Sequence, residues 1–156
     1  MKIGVLSDTH MMQKYIDKTI PYLSECELLI HAGDNFSDSK YIYQKTNIPV
    51  MAVRGNCDFD NVEDELLFEV EGKNIFLCHG DSYSVKYDLN ILEKKAKEVK
   101  ADIVIFGHTH IPLNVNKDNI LYINPGSVSL PRNSTRRGFM IIDINNSNID
   151  VIEIKI

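Results

Sequence analysis

The segment Ile103–Pro112 reads IVIFGHTHIP. An apolar run stops at Gly107, and two of the chain's five histidines, His108 and His110, follow with one threonine between them. A short apolar run that ends abruptly in polar residues reads as a buried β-strand delivering side chains from its carboxyl end. The same design occurs four more times. KIGVL leads into Ser7-Asp8-Thr9-His10, ELLIHA into Gly33-Asp34-Asn35, PVMAVR into Gly55-Asn56-Cys57-Asp58, and NIFLC into His79-Gly80. Glycines beside the polar residues let the backbone turn sharply and approach a ligand closely.

Between these strands the apolar spacing changes. Met12, Ile16, Ile20 and Leu23 fall at helical intervals, predicting an amphipathic helix over 11–24. A second helix is expected over 38–46. A third is marked by Leu89, Leu92, Ala96 and Val99, with Asp88 as its N-cap. ELLFEVEGKNIFLC predicts a strand, a turn near Gly72 and a partner strand over 74–78. The last third, LNVNKDNILYINPGS and GFMIIDINNSNIDVIEIKI, predicts two hairpins with Asn/Asp-rich turns. Strand and helix alternate early, as in βαβ units, where functional groups collect at the carboxyl ends of strands. No repeat, linker or shift in composition divides the chain, so a single domain over 1–156 is expected.

Bulk composition narrows the function classes. The chain has 156 residues, 44% hydrophobic and 25% charged, ordinary for a globular domain. Its net charge of -5 argues against a broad basic surface holding extended nucleic acid. A small phosphate ester remains compatible, because a bound metal can supply local positive charge. Cys26, Cys57 and Cys78 show no disulfide framework, which predicts reduced thiols and a cytoplasmic protein. The first apolar run is too short for a signal peptide or a membrane span, so no membrane association is expected.

The five polar clusters together supply Asp8, His10, Asp34, Asn56, His79, His108 and His110. Oxygen and nitrogen donors without a clear thiolate suit divalent ions of intermediate hardness. Seven donors exceed what one catalytic ion needs. They suffice for two ions sharing a carboxylate, roughly 3.5–4 Å apart, a geometry that clamps a displacement at phosphorus.

The order D-x-H, G-D, G-N-x-D, H-G and G-H-x-H resembles the calcineurin-like metallophosphoesterases. The short length, GNCD and NPGSV at 124–128 are most similar to the small bacterial and archaeal phosphodiesterase branch. The resemblance implies an α/β fold, a four-layer α/β/β/α sandwich of two stacked mixed sheets flanked by helices. It implies one ion on Asp8, His10, Asp34 and His110, and a second on Asp34, Asn56, His79 and His108, with Asp34 bridging. Mn2+ is the expected metal, with Ni2+, Fe2+, Co2+, Zn2+ and Mg2+ as alternatives. The implied reaction is hydrolysis of a small phosphate diester by a hydroxide bridging the ions. Two other readings are a phosphomonoesterase, nucleotide or pyrophosphate hydrolase on the same site, and a catalytically silent scaffold such as the retromer subunit of this superfamily. Self-association is a further expectation, because similar small proteins often form homo-oligomers.

One position departs from the pattern. Many relatives carry a histidine after the G-N pair, thought to protonate the leaving group, where this chain has Cys57. Asp58 is expected to replace that acid in part or to orient Asn56. Slow turnover of unactivated esters follows, since general acid catalysis is typically worth ~10²–10⁴-fold. The i, i+2 spacing of His108 and His110 suggests that both leave one side of an extended segment. His31 reads as a supporting histidine, Arg54 as partner to a carboxylate, and Arg132, Arg136 and Arg137 as a solvated basic loop.

Overall fold

The computed structural model of the chain describes residues 1–145 and 148–156. Two five-stranded mixed sheets lie face to face, each with helix on its outer side. In the first sheet β1 (Lys2–Leu6), β2 (Leu28–His31) and β3 (Val50–Ala52) run parallel. β9 (Gly138–Asn145) joins β1 antiparallel, and β10 (Asn148–Lys155) closes that edge. In the second sheet β4 (Glu65–Val70) and β5 (Lys73–Cys78) form the expected hairpin. β6 (Ile103–Ile105) then lies parallel to both β5 and β8 (Ile120–Pro125), with β7 (Pro112–Lys117) on the edge.

The apolar runs explain this layering. Val5, Ile30, Leu77, Ile105, Ile123 and Ile142 interleave between the sheets and are fully buried. Truncating one such residue to alanine costs about 2–5 kcal/mol. Ile16 and Leu23 of α1 (Gln13–Leu23) and Ile42 of α2 (Ser37–Thr46) cover the outer face of the first sheet. Leu92 and Ala96 of α3 (Asn90–Glu98) cover the second against Phe76, Val104 and Tyr122. Among the described residues no helix is long and apolar enough to cross a membrane.

Two local expectations are corrected. The first helix starts at Gln13, not residue 11, because His10 and Met11 take left-handed backbone (φ 48° and 57°) that cannot continue a right-handed helix. Asp88 is not the flanking cap of α3, which is Leu89, although Asp88 Oδ1 still accepts the Asn90 N–H at 2.9 Å. The β7–β8 hairpin turns at Asp118 and Asn119, both at positive φ, as its Asn/Asp content predicts. The expected turn between β9 and β10 falls on 146–147, outside the described residues.

The parallel strands β1, β2 and β3, and separately β5 and β6, end at one edge of their sheets. Asp8, Asp34, Asn56, His79 and the two histidines after Gly107 lie in the loops leaving those ends. Backbone bonds tie the loops together, from Asp8 N–H to Gly33 O at 3.0 Å and from Gly107 N–H to His79 O at 2.9 Å.

Candidate metal centre

All seven donors named from the sequence converge. One ligand atom each from Asp8, His10, Asp34 and His110 lies within 4.8 Å of the others. His110 Nε2 stands 3.1 Å from Asp8 Oδ1, and His10 Nε2 stands 3.8 Å from Asp34 Oδ2. A second group forms around His79, whose Nε2 is 3.1 Å from Asn56 Oδ1, 3.2 Å from His108 Nδ1 and 3.4 Å from Asp34 Oδ1. Asp34 therefore offers Oδ1 to one group and Oδ2 to the other.

Proton bookkeeping shows what this arrangement wants. His79 Nδ1–H donates to Ala32 O at 2.7 Å, and His110 Nδ1–H donates to Leu130 O at 2.6 Å. In the neutral ring this leaves Nε2 as a bare lone pair, fixed by the bond at the other nitrogen. Both lone pairs face carboxylate oxygens. Asp8 Oδ2 is satisfied by the Ser7 hydroxyl at 2.6 Å and the His108 N–H at 3.0 Å, but its buried Oδ1 has no hydrogen-bond partner among the described residues. Lone pairs aimed at one another need a positive charge between them. Without a metal, that charge is a proton on the rings. Burial pushes His79 and His110 down, yet the neighbouring Asp34 and Asp8 carboxylates outweigh it and leave both raised. Burial likewise opposes ionisation of Asp34, but the bond with His79 and the Cys57 N–H hold it well below the usual carboxylate range. The donor chemistry fits divalent metal ions.

The backbone is strained where the donors sit. Asp8, His10, Asp34, His108 and His110 all have positive φ, between 48° and 67°. Left-handed conformations of this kind cluster at functional sites and persist only where surroundings enforce them. His108 and His110 are therefore not on an extended segment, as their spacing suggests. Each leaves a left-handed turn, with Thr109 N–H bonded to Gly107 O at 2.8 Å between them. The glycines leave room: a Cβ on Gly107 would stand 2.7 Å from Asp8 Oδ2 and collide with the Ser7 hydroxyl, and one on Gly55 would strike Asp34.

The other candidates take supporting places. Asp58 spends its carboxylate on the backbone N–H groups of Phe36 (2.8 Å) and Gly55 (2.7 Å), which binds the second and third loops together. Cys57 is exposed, with Sγ 3.6 Å from Asn56 Nδ2. Arg54 pairs with Asp64. Arg137 departs from the solvated-loop reading, since its Nε–H donates to Ser129 O at 3.1 Å and its guanidinium lies over the Tyr15 ring. His31 is fully buried. It accepts the Gly33 N–H at Nδ1 and donates from Nε2 to the Thr9 hydroxyl at 2.9 Å. Thr9 in turn donates to Asp38 Oδ2 at 2.6 Å, which also accepts the Met11 N–H at 2.9 Å. Sequence reasoning missed Thr9 and Asp38, and also Ser127 and Ser129, whose hydroxyls both donate to Asp8 O (2.7 and 2.9 Å). The small polar run NPGSVS after a buried strand was the available signal. Asn124 of that run braces Gly107 O at 2.7 Å.

Comparison with known proteins places this geometry. The family model for the calcineurin-like phosphoesterase superfamily domain matches residues 1–147. A Bacillus subtilis protein named as the probable metallophosphoesterase YsnB is 31% identical over 148 residues, covering 94% of this chain and 86% of the relative. A protein of Methanocaldococcus jannaschii named as a phosphodiesterase is 32% identical over 145 residues, 81% of this chain and 83% of its own length. Among solved structures, a conserved protein from Streptococcus pneumoniae TIGR4 superposes with a TM-score of 0.85 at 25% identity, covering 99% of this chain and 88% of that one.

Proposed function

The chain belongs to the calcineurin-like phosphoesterase superfamily and is a metal-dependent phosphoesterase; from that premise we propose that it hydrolyses a small phosphate diester with two divalent ions. Asp8, His10, Asp34 and His110 hold one ion, and Asp34, Asn56, His79 and His108 hold the other. Mn2+ is the metal we assign, since the mixed oxygen and nitrogen donors suit ions of its hardness. The observation that carries this reading is Asp8 Oδ1, buried without a hydrogen-bond partner among the described residues and facing His110 Nε2 at 3.1 Å.

When bound, the ions supply a water acidic enough to attack phosphorus and positive charge for the phosphoryl oxygens. The chain's residues prepare the site for that chemistry. Ala32 O and Leu130 O fix the tautomers of His79 and His110, so both Nε2 lone pairs point inward. Ser7, Ser127 and Ser129 anchor the Asp8 carboxylate and carbonyl. Asp58 holds the Asn56 loop against the Asp34 loop, which keeps the two donor groups in register. The residue that follows Asn56 is Cys57 and not a histidine that could protonate a leaving group, which favours esters of acidic alcohols. The diester reading draws support from the relative named as a phosphodiesterase. Its test is the ratio of rates on a diester and on its monoester, with Mn2+ added to stripped protein. A ratio well below one would move the assignment to a phosphomonoesterase.

A further inference from the structure

Two hollows are lined by the loops that carry the candidate ligands, and they differ in chemistry. One, about 520 Å³, is lined by Asn56 and His79 and walled by carboxylates, among them Glu63 and Asp81. The other, about 400 Å³, has in its wall Thr109, the residue between His108 and His110. Its walls include Val85, Leu89 and Leu113, and it also carries Lys86 and Arg132. Both cations line this hollow. The backbone of Arg132 is tied to the centre, its N–H bonding His110 O at 3.3 Å.

We propose that this second hollow is the subsite for one esterified group of the substrate, and that it selects an apolar aromatic ring. The inference rests on the phosphodiester reading and names its substrate class. Burial against Val85, Leu89 and Leu113 rewards an apolar group. A ring is preferred over an alkyl group because Lys86 and Arg132 can lie against its face. The same cations attract the phosphate anion, whereas the acidic hollow beside Asn56 repels any second anionic group. A diester with one aromatic arm fits both conditions, and a nucleoside polyphosphate fits neither.

The probes are diphenylphosphinate and dimethylphosphinate, which carry P–C bonds and cannot be hydrolysed, titrated calorimetrically into Zn2+-loaded protein of verified metal content. The diphenyl anion is expected to bind about tenfold tighter or more. Leu113→Asn, which adds no charge, should erase that preference while leaving dimethylphosphinate binding unchanged. In the parent protein the methyl resonances of Val85, Leu89 and Leu113 should shift with the diphenyl probe only, a reading that needs no variant to fold. Equal affinities in the parent, or shifts confined to other methyls, would overturn the subsite. Failure of the Mn2+-loaded parent to cleave bis(4-nitrophenyl) phosphate, with the ring preference intact, would overturn the phosphodiesterase reading and leave the subsite standing.

Discussion

Asp8 Oδ1 and His110 Nε2 stand 3.1 Å apart, and the single proton of the neutral His110 ring is spent elsewhere, on the bond from Nδ1 to Leu130 O, so that only a second ring proton or a metal ion can join them. A cation between them relieves the repulsion of their lone pairs. On the proposed assignment, folding therefore assembles a site that a metal ion should stabilise. Mn2+ at 100 times its dissociation constant should add about 2.7 kcal/mol and raise Tm by roughly 5–10 °C. Differential scanning calorimetry with and without the ion measures this, and Asp8→Asn should lose most of the shift.

Asp34 faces both donor groups, through Oδ2 to His10 and Oδ1 to His79. Asp34→Asn should thus lower kcat by more than the roughly 10–100-fold typical of changes outside the donor set. His108→Asn removes a donor from one group only and should leave partial binding of a single ion. Steady-state rates and metal content, measured together, separate the two variants.

The chain His31–Thr9–Asp38 grips both flanks of His10 through the Thr9 hydroxyl and the Met11 N–H. Thr9→Val keeps the shape and deletes the hydroxyl. It should cost about 1–3 kcal/mol by leaving buried partners unpaired, and about 10–100-fold in metal affinity. Burial also lowers the His31 pKa from its ordinary value, so the folded state keeps the ring neutral. The unfolded chain gains a proton below about pH 6.5 that the folded chain refuses. The stability contributed by neutral His31 is therefore full above that pH and is lost as pH falls. Denaturant melts at pH 7.5 and 5.5 should show a larger loss for the parent than for His31→Gln.

Gly107 and Gly72 make a matched pair. Gly107 lacks space, since a Cβ there would collide with Ser7 and crowd Asp8, whereas Gly72 has open surroundings but φ of 73°. Gly107→Ala should destabilise by about 1–3 kcal/mol through overpacking and should also weaken metal binding. Gly72→Ala should cost only about 1 kcal/mol and leave the metal affinity alone. Chemical denaturation and metal titration of both variants test the difference.

Under the proposed function, Cys57 stands in the position next to Asn56 where the family resemblance implies an acid for the departing alcohol. The parent should cleave an aryl diester far faster than an alkyl one. Cys57→His should narrow that gap, by up to about 10²-fold on the alkyl ester. Equal rates on both esters in the parent would show that no acid is missing.

Much of this was legible in the sequence because strand ends are written plainly. Apolar runs stopping at Asp8, Asp34, Asn56, His79 and His108 mark where parallel strands deliver their loops, and the ordered spacing resembles one family throughout. What the sequence hid is conformation. Left-handed backbone at five candidate donors cannot be read from Asp and His, which occupy ordinary conformations elsewhere, so the spacing of His108 and His110 suggested an extended segment where the backbone turns. The supporting shell was hidden for a different reason. Thr9, Asp38, Ser127 and Ser129 are common residue types whose role arises only when distant segments pack, as with Asp8 and Ser127, 119 positions apart.

The most direct measurement is anomalous diffraction from crystals soaked in Mn2+. Two peaks roughly 3.5–4 Å apart are expected, one among Asp8, His10, Asp34 and His110, the other among Asp34, Asn56, His79 and His108. The absence of any peak between these side chains, or their separation beyond coordinating reach, would contradict the account.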